Sequence, residues 1–348
     1  RKQKTLECLL ALTMAMASQK LVFIVVEDLQ WIDPTTLDLI DMLIDQVPTS
    51  RVFALLTYRM EFTPPWSARS HLSHISINRL TRKQTGHMVK SIAKNKELPV
   101  EVFREIVNKT DGVPFFVEEL TRMVLESDIL KETREYYELN APLASLSIPS
   151  TLQDSLMARL DKLGAEKELA QLSAMLGREF AHTLLKAVAT GKDNDFEARL
   201  STLVGAELFY RHGLPPHASY TFRHALVHEV AYHSLLRKTR QQYHHHIAHI
   251  IEQQFPDILE NSPEIVAHHF SEAADIDNAI HYWLQAGKTA LQRFALIDAV
   301  SHLKRGMALL PGVSENQKAL EYELALQPML GLAYMMNEGY GCTHVEKA

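Results

Sequence analysis

Cysteine is nearly absent. The chain has 348 residues and two cysteines, Cys8 and Cys342, at opposite ends. They supply neither a disulfide framework nor a thiolate metal site, which leads to the expectation of a reducing, cytoplasmic setting. Long apolar runs are missing as well. The longest near the front is Leu21 to Val26, far short of the roughly 20 residues a membrane helix needs. No membrane partner is therefore expected, and no signal-peptide pattern opens the sequence. An excess of one charge is also lacking: 36 Lys and Arg stand against 42 Asp and Glu, for a net charge of -6. That balance makes nucleic acid an unlikely partner. What remains is a globular composition, 46% hydrophobic, long enough for about two or three domains. The first residue is Arg1 rather than Met, and the expectation is a piece cut from a longer protein.

The first clear elements are β–α–β. Leu21-Val22-Phe23-Ile24-Val25-Val26 reads as a strand of a parallel sheet buried on both faces. Pro34 opens a helix to about Gln46, and Arg51 to Tyr58 forms a second buried strand. Ile75 to Leu80 suggests a third strand, and Thr81 with Gln84 makes a capping box. Beyond it the pattern is helical. Pro142 to Pro149 marks a linker. Leu208 to Arg211 and Ser219 to Phe222 pair as a hairpin around Gly213-Leu214-Pro215-Pro216. Short helices followed by this hairpin suggest a winged helix.

A tetratricopeptide unit repeats every 34 residues or about that number, with aromatic, small and proline positions in fixed order. Starting the unit at Ile280 places Trp283, Gly287, Ala299, Leu303, Gly306 and Pro311 on those positions. The next unit keeps Ala333 but has Gln317, Glu321 and Asn337 where the pattern wants other residues.

Chemistry concentrates where the strands end. Glu27 and Asp28 close the first strand, and Arg59 follows the second. Open parallel sheets bind ligands at this edge. An acid there can hold Mg²⁺ through water, its neighbour can orient an attacking water, and a cation can read a γ-phosphate. A plainer role for acids at this place is capping, and Asp33 before Pro34 suits it.

These residues carry a resemblance. Val25-Val26-Glu27-Asp28-Leu29-Gln30-Trp31-Ile32-Asp33-Pro34-Thr35-Thr36-Leu37 looks like the Walker B region of STAND-class ATPases. Leu55-Leu56-Thr57-Tyr58-Arg59 looks like their sensor strand, and Asp111-Gly112-Val113-Pro114-Phe115 looks like their Gly-x-Pro motif. The order resembles the ATPase and repeat region behind class III adenylate cyclase domains and in large bacterial transcriptional regulators.

The resemblance implies α/β followed by all-α. Residues 1–131 would be the C-terminal part of a P-loop NTPase core with a partial parallel sheet and helical lid. Residues 132–240 would be a winged-helix-like domain, and 241–348 a TPR-like solenoid. It implies that Glu27 holds Mg²⁺ through water, Asp28 positions water and Arg59 senses the γ-phosphate. Gly112 would allow a tight turn, Pro114 would lie against adenine, and His224 would touch an ADP phosphate. ATP or ADP and Mg²⁺ are implied for the intact parent, with none held tightly by this piece. A protein partner on the repeats and an upstream effector domain, such as a nucleotide cyclase, complete the picture. Two other functions stay open: an interaction scaffold with a non-catalytic remnant, and part of a transcriptional activator.

The phosphate-binding sequence GxxxxGK[ST] is missing. The residues before Leu21 contain no glycine, and Gly287-Lys288-Thr289 lacks the earlier glycine, with Tyr282 in its place. Eighteen histidines are many. His224 with His228, and His245 with His249, have the spacing for zinc on one helix face. With no cysteine nearby and no acid placed as third ligand, packing or surface histidines are the expectation.

Overall fold

The computed structural model describes residues 2–66, 69–140, 149–189 and 195–338. Most of the expected linker, Pro142 to Ile148, lies outside them. The chain divides into two compact units: residues 1–77 with 292–295, and residues 78–291 with 296–348.

The first unit begins with helix α1 (Lys2–Gln19) and strand β1 (Val22–Val26). Helix α2 (Pro34–Gln46) crosses over to strand β2 (Val52–Leu56). The strands run parallel, with Val22 opposite Val52 through to Val26 opposite Leu56. Asp33 starts α2: its carboxylate accepts hydrogen bonds from the Thr35 and Thr36 amides, each at 2.9 Å. Pro34 sits in the first turn, where no amide donor is needed. The helix turns Ile40 and Ile44 onto Leu29 and Trp66, and Val26 and Leu56 pack against this small core.

This unit corrects the expected fold class. Among the described residues the chain is mostly helical, and its sheets have two or three strands. The described residues form no extended parallel sheet of a P-loop NTPase core, so the α/β-then-all-α class with such a core does not hold. Ile75 to Leu80 forms no strand, and Ile75 and Ile77 are exposed. Nor is β1 buried on both faces. Phe23 and Val25, with Phe53 and Leu55 opposite them, point outward and are about half exposed. A continuous apolar run signals a strand, but cannot reveal whether both faces are covered.

The second unit opens with three helices: α3 (Arg82–Ile92), α4 (Val100–Thr110) and α5 (Pro114–Leu125). Thr81 and Gln84 form the capping box of α3. Val89, Ile106, Val117 and Leu120 fill the centre of this group. A short hairpin follows, β3 (Leu130–Glu132) with β4 (Tyr137–Leu139). Helices α6 (Leu152–Lys162) and α7 (Glu166–Leu176) then lead to β5 (Glu179–Ala181), α8 (His182–Ala189) and α9 (Phe196–Gly205). Strands β6 (Phe209–His212) and β7 (Ser219–Phe222) form the expected hairpin. β5 joins β7 on its other side, making an antiparallel sheet in the order β5-β7-β6. Phe180, Phe209 and Phe222 meet edge to face beneath it, a favoured aromatic geometry.

Further helices follow: α10 (Ala225–His233), α11 (Arg237–Gln254), α12 (Pro256–Asn261), α13 (Pro263–Glu272), α14 (Ile276–Gln292) and α15 (Leu296–Leu309). The last described element is α16 (Asn316–Glu338). Small residues set the close approaches. A Cβ added to Gly287 would lie 2.5 Å from Leu303, and one added to Gly306 would lie 3.0 Å from Leu326. No described helix is long and apolar enough to cross a membrane.

A buried polar chain joins α10, α11 and α13. His244 and His269 are 1% and 3% exposed, and their Nδ1 atoms are 2.8 Å apart. His244 Nε2 meets the Tyr232 hydroxyl at 3.1 Å. Tyr232 donates to Glu272 at 3.4 Å. Burial, with His268 and Arg240 nearby, pushes the His244 pKa down to about 4. Burial also holds His269 well below its ordinary value. Folded protein therefore resists protons that the unfolded chain accepts below pH 6.5.

The contribution of His244 to stability is present above pH 6.5 and is lost as the pH drops toward 4. Replacing His244 by Gln should remove about 2 kcal/mol of the difference in unfolding free energy between pH 7 and pH 5, read from urea melts. A separate test concerns Gly112, at φ +70°, whose added Cβ would lie 2.2 Å from the Leu80 carbonyl oxygen. Gly112→Ala should cost about 2–3 kcal/mol. Gly164→Ala, at φ +61° with open space around it, should cost about 1 kcal/mol. Equal losses at both sites would refute the clash.

Candidate functional site

Because β1 and β2 run in the same direction, their last residues, Val26 and Leu56, are neighbours. Glu27-Asp28 and Thr57-Tyr58-Arg59 therefore leave the sheet along one edge. The ladder continues past the strands: the Thr57 amide donates to the Val26 carbonyl, and the Leu29 amide to the Thr57 carbonyl, both at 3.0 Å. Asp28 adopts a left-handed conformation with φ 58°. Its amide donates to Thr57 Oγ1 at 3.1 Å.

Gln30 ties the two strand ends together. Its Nε2 donates to Asp28 Oδ1 at 3.0 Å, and its Oε1 accepts from the Arg59 amide at 3.2 Å. The Asp28 carboxylate is thereby oriented and half-buried, while Glu27 and Arg59 are exposed. Three of the expected site residues thus share one edge: an oriented acid, a free-standing acid beside it and an arginine across from it. Asp33 takes the capping role instead. Gln30 and Thr57 escaped the sequence reading because their partners lie across the sheet.

The other expected residues belong to the second unit. Asp111, at φ 48°, ends α4, and Gly112 turns the chain. The Gly112 carbonyl accepts from the Leu80 amide at 2.7 Å. Pro114 begins α5. Gly112 and Pro114 therefore have full structural explanations as a helix stop and a helix start. Phe115 follows, and its ring lies against the imidazole of His224, with centroids 3.8 Å apart. His224 precedes α10 as its N-cap residue, without a side-chain capping bond. Burial lowers its pKa and the neighbouring Arg223 adds to the effect, so the ring is neutral at pH 7.

Charged groups surround this contact. Arg223 bonds Glu207 at 2.5 Å and approaches Glu118 at 3.9 Å. Arg122 pairs with Glu118 at 3.1 Å and with Glu207 at 2.8 Å. A cleft of about 270 Å³ is lined by Glu119, Arg122, Arg159, Lys162 and Glu207. Glu119 is 5% exposed. Burial raises its carboxyl pKa, against the pull of Arg159, its ion-pair partner. Arg159 also donates to the Ala206 carbonyl. Within the cleft, Glu119 is paired with Arg159 and Glu207 with Arg122. No local spacing announces it, since Arg159 and Glu119 come from different helices.

Gly287-Lys288-Thr289 lies inside α14, with Gly287 packed on Leu303. It is a helix contact and not a phosphate loop. Among the described residues, no group of three or more His, Cys, Asp or Glu side chains is arranged to hold a metal.

No family model matches the chain. It is similar to an uncharacterized protein of Rhizobium meliloti (strain 1021), with 26% identity over 335 residues. The match covers 95% of this chain and 32% of that protein. The chain thus spans about a third of the length of this relative.

The buried ion pair gives a direct prediction. Arg159→Leu strands the Glu119 carboxylate and should lower stability by roughly 3 kcal/mol. Adding Glu119→Leu should recover most of that loss in urea melts. If the double variant is no more stable than Arg159→Leu alone, the pairing account fails.

Proposed function

We propose that residues 1–348 form part of a STAND-class signalling ATPase, in which bound nucleotide regulates an attached effector. The observation that carries this reading is the edge shared by β1 and β2. Glu27 and Asp28 leave one strand and Arg59 leaves its parallel neighbour, while Gln30 links Asp28 to the Arg59 backbone. An acid oriented from behind, a second acid exposed to solvent and a cation at the same edge suit Mg²⁺ and a transferring phosphoryl group. In this proposal Glu27 holds the Mg²⁺ through water, Asp28 positions the attacking water, and Arg59 senses the γ-phosphate.

Support from the second unit is local. A neutral imidazole at His224, against the ring of Phe115, the residue after Pro114, can donate one ring N–H to a phosphate oxygen. Pro114 offers adenine an apolar face. The phosphate loop that this chain lacks has to come from elsewhere in the parent polypeptide. The relative's greater length leaves room for both that loop and an effector, for which a nucleotide cyclase domain is the proposal. A protein partner on α13–α16 would bias the switch by binding one nucleotide state more tightly. The placement of the protein in the cytoplasm belongs to the same proposal.

ATP binding and hydrolysis by the intact parent protein test this reading. The parent should bind ATP with Mg²⁺, and Glu27→Gln and Asp28→Asn should each slow hydrolysis at least about tenfold. Arg59→Ala should erase the preference for ATP over ADP, measured by equilibrium dialysis. Residues 1–348 alone should show negligible turnover. An intact parent that binds no ATP would sink the proposal and favour a protein-interaction scaffold. Hydrolysis by the 1–348 chain that disappears on changing Glu27 or Asp28 would contradict the need for an outside loop.

A further inference from the structure

Two imidazoles on the outer side of α11 are spaced as metal ligands are. His245 and His249 stand one helical turn apart, with their Nε2 atoms 3.3 Å apart. Zinc–nitrogen bonds of about 2.0–2.1 Å at a tetrahedral angle hold two ligand nitrogens roughly 3.3 Å apart. Spacing alone is common on helices, and here the orientation adds to it.

His249 Nδ1 lies 2.7 Å from Glu252 Oε2. An ionised carboxylate only accepts hydrogen bonds, so Nδ1 carries the hydrogen and Nε2 keeps its lone pair, which accepts the His245 Nε2–H that a metal would displace. Glu252 is held in turn: the Tyr282 hydroxyl donates to its Oε1 at 2.6 Å. This carboxylate-to-histidine arrangement is the outer shell that orients a metal-binding imidazole and raises its basicity. Both rings also meet the buried Phe270 edge to face, with centroids 6.3 Å and 5.4 Å away. Phe270 itself stacks on Tyr282.

An acid lies within reach. Asp275 Oδ2 is 3.7 Å from His245 Nε2. The same oxygen accepts from Asn278 Nδ2 at 2.9 Å, and Oδ1 accepts from the Asn278 amide at 3.3 Å. The three side chains do not yet converge as a finished cage. Two imidazoles are therefore the anchors, and a small rotation of Asp275, or water, would complete the coordination. The position is open to solvent, with the His245 and His249 side chains 50% and 39% exposed.

We propose that His245 and His249 form a binding site for Zn²⁺ or a divalent ion of similar preference, such as Ni²⁺ or Cu²⁺, with Glu252 orienting His249. Imidazole nitrogen selects these ions over Mg²⁺ and Ca²⁺. The two imidazoles and Glu252 lie on α11, Asp275 lies just before α14, and Phe270 on α13 and Tyr282 on α14 support them.

Titration calorimetry of the 1–348 chain with Zn²⁺ at pH 7.5 tests the site. Zn²⁺ should bind, and Mg²⁺ should not. His245→Ala and His249→Ala should each weaken the strongest binding step at least about tenfold. Glu252→Gln should weaken it by about tenfold, and His87→Ala, on α3, should leave it unchanged. Circular dichroism should show the same helix content in all variants, since the changed side chains are partly exposed. Binding that survives in both the His245 and His249 variants, or no Zn²⁺ binding at all, overturns the site. An unchanged affinity in Glu252→Gln overturns the orienting role.

Discussion

Five consecutive pairs, from Val22–Val52 to Val26–Leu56, run in the same direction, and the chemistry of the first unit follows from that. Parallel strands need a crossover, and α2 supplies it, started by Asp33 and Pro34. With an antiparallel pairing, Glu27 and Arg59 would leave opposite ends of the sheet. With this one they emerge together, and a single glutamine reaches from one strand end to the other. The interaction is modest in energy, a few hydrogen bonds of about 1 kcal/mol each. Its value lies in geometry, because it fixes a carboxylate relative to a neighbouring strand.

In the second unit, packing and polar satisfaction work together. Helices approach closely where Gly287 and Gly306 remove side chains. Charges that become buried find partners, as Glu119 does in Arg159. Histidines serve several ends here. His244 and His269 are buried and hydrogen-bonded to each other, His224 is a neutral ring against Phe115, and His245 and His249 face solvent. One residue type thus gives stability that depends on pH, an aromatic contact and a pair of exposed nitrogens. Burial decides which, through the cost of charging a ring away from water.

Local signals were legible in the sequence. Asp33-Pro34, Thr81 with Gln84, and Asp111-Gly112 state their roles within a few residues, and the structure uses them as caps and turns. Trp283, Gly287, Ala299, Leu303 and Gly306, singled out by their spacing, are buried at helix contacts. The Glu27, Asp28 and Arg59 edge was legible because strand direction follows from the crossover. Long-range pairing was not legible. Arg159 with Glu119, His244 with His269, and Gln30 with Arg59 depend on chain segments brought together only by folding. Ile75 to Leu80 was misread for the same reason: apolar residues form a strand only when a neighbouring strand accepts them. The breadth of the sheet was overestimated with it.

The outward side of β1 and β2 has a practical consequence. Phe23 stacks on Phe53 with centroids 5.4 Å apart, and Val25 and Leu55 extend the same greasy surface. Among the described residues no further strand pairs with either one, so backbone donors and acceptors line both margins of an apolar ribbon. Such a ribbon is a template for adhesion between molecules. The purified polypeptide therefore carries an adhesive surface near its front, contributed by a few side chains. Concentration, salt and mild detergent should affect clumping far more than they affect unfolding.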